Sequence, residues 1–162
     1  MYKLSAIYRQ AKTSDLGAIN RLIEMSVMNW ALPKRLKRLA VPVMQYDEVD
    51  FDHLDLFVCV RGTEILGVSA LDLDYAPSRG LLHGLFVLPI IQGHGIGKQL
   101  MQMGFDWAAA NQLNTVVMRA ERVSISYFQR WGFEQLTDLG PNDYPYQFEK
   151  RLHQAAPLAL AS

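Results

Sequence analysis

The residues that most suggest chemistry lie in one short run, Leu85-Phe86-Val87-Leu88-Pro89-Ile90-Ile91-Gln92-Gly93-His94-Gly95-Ile96-Gly97-Lys98. An apolar strand ends at a proline, a glycine-rich turn follows, and a helix opens. Gly93, Gly95 and Gly97 leave the backbone bare, so that its N–H groups can converge on an anion. The start of the helix adds its positive end. A pyrophosphate is the guest such a turn suits. Two better-known phosphate loops do not fit. A Walker loop needs Ser or Thr after Gly-Lys, and Gln99 follows Gly97-Lys98. A dinucleotide fingerprint starting at Gly93-x-Gly95 needs glycine at the position of Lys98, and Pro89 separates the strand from the turn.

The same run resembles motif A of the GNAT acetyltransferases. Val87-Leu88-Pro89 stands for the strand end, and Gln92-Gly93-His94-Gly95-Ile96-Gly97 for the Gln/Arg-x-x-Gly-x-Gly/Ala turn. A second stretch, Tyr127-Phe128-Gln129-Arg130-Trp131-Gly132-Phe133, is similar to the family's Phe-Tyr-x-x-x-Gly-Phe. The resemblance implies that the Leu85, Phe86 and Val87 backbone pairs with the pantetheine arm of acetyl-CoA as an added strand would. It implies that Gln92, Gly93, His94, Gly95, Ile96, Gly97 and Lys98 wrap the pyrophosphate. It places the Leu85 amide beside the thioester carbonyl as an oxyanion donor. The implied reaction is direct acetyl transfer to a primary amine. A base takes the amine proton and an acid protonates the departing thiolate.

The acid and the base are less well marked. Phe128 stands where the family has its tyrosine, and Tyr127 is one place earlier, a turn of ~100° around a helix. Tyr127 is the candidate acid. Glu121, at the family's asparagine position, and His83, alternating with Leu85 along a strand, are the candidate bases, ahead of Asp74 and Asp72. His94 faces solvent or the cosubstrate in this reading. Tyr144 and Tyr146 either line an acceptor cleft or stiffen a turn. Lys34, Arg35, Lys37 and Arg38 read as a solvated helix face.

These groups need a frame. A strand is expected over 4–10, then a helix N-capped by Ser14, with Leu16, Ile19, Leu22, Ile23, Val27 and Trp30 at helical spacing. Pro33 opens a short helix over 34–39, Pro42 breaks it, and 43–53 reads as a polar connection. A hairpin joins 54–61 to 64–75 through Gly62-Thr63. Ala76-Pro77-Ser78 turns into a strand over 80–88. A helix over 95–110 buries Ile96, Leu100, Met103, Trp107 and Ala108. A strand over 115–120, a short helix over 123–131 closed by Gly132, and strands over 133–136 and 146–152 complete the chain.

This order predicts an α/β fold, a mixed and mostly antiparallel sheet with helices on both faces, with a right-handed crossover between strands 80–88 and 115–120. Residues 1–153 read as one domain of the GNAT type, with 154–162 a frayed tail. Half of the 162 residues are hydrophobic, enough for a core. Sixteen basic and sixteen acidic residues balance, which argues against nucleic-acid or membrane partners. Cys59 lies in an apolar run and reads as a small buried hydrophobe. Neither a signal peptide nor a membrane helix is expected, nor a metal site, and the cytoplasm is the default location. The expected acceptor is a small-molecule amine, with a protein N-terminus or lysine, or a non-catalytic acetyl-CoA-binding module, as alternatives. A homodimer is compatible with the sequence.

Overall fold

A computed structural model describes residues 5–120, 125–141, 144 and 146–153. Seven strands are hydrogen-bonded in one sheet: β1 (Ile7–Gln10), β2 (Asp55–Arg61), β3 (Glu64–Ala76), β4 (Arg79–Val87), β5 (Thr115–Arg119), β6 (Glu134–Gln135) and β7 (Gln147–Arg151). Their spatial order is β1-β2-β3-β4-β5-β7-β6. The β1–β2, β2–β3, β5–β7 and β6–β7 pairs are antiparallel. β4 and β5 run parallel, from Arg79 opposite Thr115 to Leu82 opposite Met118. Parallel neighbours need a long crossover, and the helix α3 (Ile96–Ala110) lies within it. The mixed, mostly antiparallel sheet predicted from the order of elements is therefore present. The described residues also form the helices α1 (Leu16–Met28), α2 (Lys34–Met44) and α4 (Ile125–Gln129), and no helix among them is long and apolar enough to cross a membrane.

The chain divides into two compact units, Met1–Leu71 with Gly84–Gly104 and Asp72–His83 with Phe105–Ser162. In the first, α1 buries Ile19, Leu22, Ile23 and Val27, the spacing expected of one helical face. The helix ends at Met28, so Trp30 falls in the following turn, half-buried. Ser14 is not an N-cap: Thr13–Asp15 form a 3-10 turn, and the Asp15 carboxylate reaches back to the Lys12 N–H at 2.8 Å. Asp15 also takes two bonds from the Arg9 guanidinium, at 2.7 and 2.9 Å, which hold its carboxyl below the usual range. Asp15, at the N-cap of α1, makes no side-chain bond to that helix either. Pro42 does not end α2, which runs on to Met44. Its missing N–H forfeits one intrahelical bond, and beyond it the Gln45 N–H still reaches the Val41 carbonyl at 3.2 Å.

The predicted hairpin closes through Gly62, which takes φ +63°, and Arg61 pairs with Glu64 at 2.9 Å. Cys59 is fully buried opposite Tyr8. Burial pushes the Cys59 thiol up against the opposing pull of the Tyr8 hydroxyl, and burial, with the hydrogen bond to Cys59, pushes Tyr8 up to about 12. An inert packing role fits these facts. The 43–53 stretch is not simply a polar connection. Val49–Asp52 form a 3-10 turn, Asp47 and Asp50 exchange side-chain-to-backbone bonds, and Tyr46 is buried.

In the second unit, Ala76 is still strand, so Pro77-Ser78 alone make the turn, with Ser78 at φ +60°. Here α3 buries Phe105 and Ala108 while Trp107 is 37% exposed, contrary to expectation. The buried line along α3 advances in steps of four, through Leu100, Gly104 and Ala108, and Trp107 lies at its margin. The Phe105 and Phe133 rings meet at 5.6 Å, and Lys150 lies over Phe105 while donating to the Trp131 carbonyl at 2.7 Å. Gly132 takes φ +83° just past α4, as a closing glycine does. The helix described there is Ile125–Gln129, and the 154–162 tail lies outside the described residues.

Candidate cosubstrate site

Within the first unit, β4 ends at Val87 and a 3-10 turn, Pro89–Ile91, leads into the glycine turn. Pro89 stops the strand because it cannot donate to a ladder, while the Leu88 N–H still bonds the Leu66 carbonyl of β3 at 2.9 Å. The Val87 carbonyl accepts from the Ser26 hydroxyl of α1 at 3.2 Å and lies 3.5 Å from the Gln92 amide nitrogen. Leu85 and Val87 are half-buried and alternate with buried Phe86 and Leu88. One face of the strand end is thus anchored in the core and the other is partly open.

Gly93 and Gly95 have φ +86° and +80°, a conformation that favours glycine. A Cβ placed on either would meet nothing within 4 Å. The glycines therefore serve the backbone path and leave open space over it. Gln92, Gly93, His94 and Gly95 are exposed, as is Lys98. His94 Nδ1 lies 2.9 Å from the Ile91 carbonyl, which can only accept, so this nitrogen carries the proton and ties the turn to the preceding 3-10 segment. The Gly95 carbonyl takes the first bond of α3, from the Gln99 N–H at 3.0 Å. The start of α3 presents the positive end of the helix at this turn. Ile96 is buried and fixes this helix end in the core.

What fixes it is a residue that sequence reasoning passed over. A Cβ on Gly67 of β3 would come within 2.9 Å of both Ile96 Cγ2 and Leu100 Cδ1. The absent side chain lets α3 settle directly on β3. A second missed pair is Tyr46 and Gly84, where a Cβ on the glycine would collide with the tyrosine hydroxyl. In both cases the signal is a lone glycine inside an apolar strand, which marks a close approach of a neighbour.

The structure brings Leu85, Phe86, Val87 and the run Gln92–Lys98 together in the first unit. His83 is exposed on β4 and belongs to the second unit. Tyr127 is within α4, and Glu121 lies outside the described residues. Phe128 packs edge-on against Phe133 with ring centroids 5.9 Å apart. The Asp72 carboxylate accepts the Asp74 N–H at 2.9 Å, a strand-end role for that pair. Tyr144 and Tyr146 meet edge to face, and the Gln147 amide donates to the Tyr144 carbonyl at 3.1 Å. Lys34, Arg35 and Arg38 are exposed on α2, and Lys37 donates to the Met28 carbonyl at the end of α1.

This chain is similar to known proteins. An amino-acid acetyltransferase of Mycobacterium tuberculosis is 29% identical over 130 residues, covering 80% of this chain and 69% of the relative. The crystal structure of the PaiA N-acetyltransferase of Thermoplasma acidophilum in complex with coenzyme A superposes with a TM-score of 0.77 at 14% identity, over 91% of this chain and 99% of that one. A GNAT family acetyltransferase of Brucella melitensis in complex with acetyl-CoA gives 0.65 at 18% identity, over 90% and 96%. At such identities the likeness concerns the fold. The model of the acetyltransferase (GNAT) family matches residues 24–133, a span that contains β4, the glycine turn and all of α3, and the chain belongs to that family.

Proposed function

We propose that this chain transfers the acetyl group of acetyl-CoA to a primary amine by direct attack, and that residues 1–153 act as one domain in doing so. The open, left-handed turn at Gly93 and Gly95, set against a buried helix start, carries this reading. The exposed residues of the turn, Gln92 to Gly95, and the positive end of α3 that follows suit a pyrophosphate. The half-open strand end at Leu85 and Val87 suits the pantetheine arm, with the Leu85 amide at the thioester carbonyl. Gln92 and Lys98 flank the phosphates, and His94 keeps the turn in shape. Glu121 or His83 takes the amine proton, and Tyr127 protonates the thiolate. Holding both reactants in one orientation supplies much of the rate. A small amine is the favoured acceptor, and the relative named as an amino-acid acetyltransferase supports an amino acid's α-amino group within that class.

One observation favours a second reading, binding of acetyl-CoA without transfer. Phe128, at the family's tyrosine position, has a packing role against Phe133. The decisive experiment combines calorimetry with a thiol-release assay against a panel of amines. Acetyl-CoA at 100 times its dissociation constant should raise stability by about 2.7 kcal/mol. Turnover with at least one amine is expected, and Tyr127→Phe should lower kcat by ~10²-fold or more with little change in acetyl-CoA affinity. Binding without turnover on any amine would establish the second reading. No thermal shift at millimolar acetyl-CoA would remove both.

A further inference from the structure

We propose that the Tyr46 hydroxyl, lodged over Gly84 of β4, is the stop that sets how long an acyl chain this protein accepts; the proposal rests on the reading that Leu85 receives the thioester end of acetyl-CoA. Gly84 immediately precedes Leu85 on the strand. A Cβ at position 84 would collide with the Tyr46 oxygen and come within 3.2 Å of Phe86 Cε2. The space over this residue is therefore already filled, by the tip of one aromatic ring and the edge of another. Gly84 and Leu85 nevertheless keep partial exposure, so the strand remains within reach of a ligand there. A thioester carbonyl held by the Leu85 amide leaves its methyl group beside position 84. The next carbon of a propionyl or butyryl group then meets the Tyr46 hydroxyl.

A stop has to be rigid, and Tyr46 is held at its backbone. The Asn20 side chain of α1 donates to the Tyr46 carbonyl at 2.8 Å and accepts from the Tyr46 N–H at 3.0 Å. The Gln45 amide in turn donates to the Asn20 carbonyl at 3.1 Å. The two-way amide pairing fixes where the side chain leaves the backbone, and the residue is 6% exposed. Burial, with the nearby Asp50 charge, pushes the hydroxyl's ionisation upward.

The test measures dissociation constants of acetyl-, propionyl- and butyryl-CoA by calorimetry on the full chain, which needs no known acceptor. Wild type should bind propionyl-CoA at least ~10-fold more weakly than acetyl-CoA, the discrimination one methylene gives in a tight site. Tyr46→Phe removes one oxygen and should narrow that gap ~10-fold. Tyr46→Phe combined with Gly84→Ala refills the space and should restore it. Loosening the clamp by Asn20→Ser should narrow the gap as well, which covers the case of a Tyr46 variant that does not fold. A general loss of stability would weaken all three ligands alike and leave the ratio unmoved. Equal binding of the three by wild type, or an unchanged ratio in folded Tyr46→Phe and Asn20→Ser, would overturn the proposal while leaving acetyl-CoA binding intact. Failure of wild type to bind any of them would instead overturn the reading beneath it.

Discussion

Gly93 and Gly95 in the turn before α3 and Gly67 and Gly84 in the strands beside it stand in opposite circumstances. The turn glycines have positive φ and nothing within 4 Å of where a side chain would start. The strand glycines sit where a side chain would strike a neighbour, Ile96 and Leu100 in one case and Tyr46 in the other. The first pair is required by the backbone path and leaves space open. The second pair is required by what has already filled the space. Substitutions at the two should therefore fail differently, the turn through ligand binding and the strands through packing and selectivity.

The largest expected effect is at the turn. Gly95→Asp places a carboxylate where the pyrophosphate is proposed to lie, and like charges brought together cost several kcal/mol. Acetyl-CoA affinity should fall by ~100-fold or more. Calorimetry on the folded variant measures this, and unchanged affinity would put the phosphates elsewhere. Next comes Gly67→Ala. Its methyl group must displace Ile96 and Leu100, and overpacking of this kind typically costs ~1–3 kcal/mol. Denaturant unfolding should show that loss. Cosubstrate affinity should change less than in Gly95→Asp, because the turn itself is untouched. A Gly67→Ala protein as stable as wild type would mean that α3 does not bear on β3 as tightly as its 2.9 Å approaches indicate.

The two kinds of glycine also explain what the sequence made legible. Gly93-His94-Gly95 could be read directly because the residue type and the local geometry that needs it occupy the same few positions. The hairpin at Gly62-Thr63 and the closing Gly132 were readable for the same reason. Gly67 and Gly84 were not, since their partners lie far away in the chain, at Ile96, Leu100 and Tyr46, and only the folded packing joins them. Tyr46 was hidden in a stretch that reads as polar, and what places it is Asn20 on α1, far away in the chain. Ser14 does not have its expected capping role: the chain enters through a 3-10 turn first, and Asp15, bonded to Arg9 on β1 and to the Lys12 N–H, stands at the start of α1. Trp107 failed for a related reason: helical spacing identifies a buried face, and neighbouring elements decide how wide that face is. Of the proposed site, the glycine turn left a signature in the sequence, and the proposed acid and base left none. A backbone cradle leaves a glycine signature, whereas a lone Tyr, Glu or His looks the same in a site as on a surface.

The smallest expected effect separates backbone strain from ligand contact. Gly62 and Gly93 are matched in two respects. Both have positive φ, +63° and +86°, and both have open space where a Cβ would go. Only Gly93 belongs to the proposed phosphate turn. Alanine at either site meets no neighbour, so its cost should come from the left-handed conformation alone, about 1 kcal/mol in each case. Thermal unfolding without ligand should therefore rank the two variants together. Acetyl-CoA should then divide them. Gly62→Ala should keep wild-type affinity, since the hairpin turn lies outside the site. Gly93→Ala should bind several-fold more weakly, because a methyl group now stands on a backbone that the phosphates must approach closely. Equal affinities for the two variants would show that Gly93 serves the path of the chain and nothing else. The anion would then be held by the first turn of α3 alone.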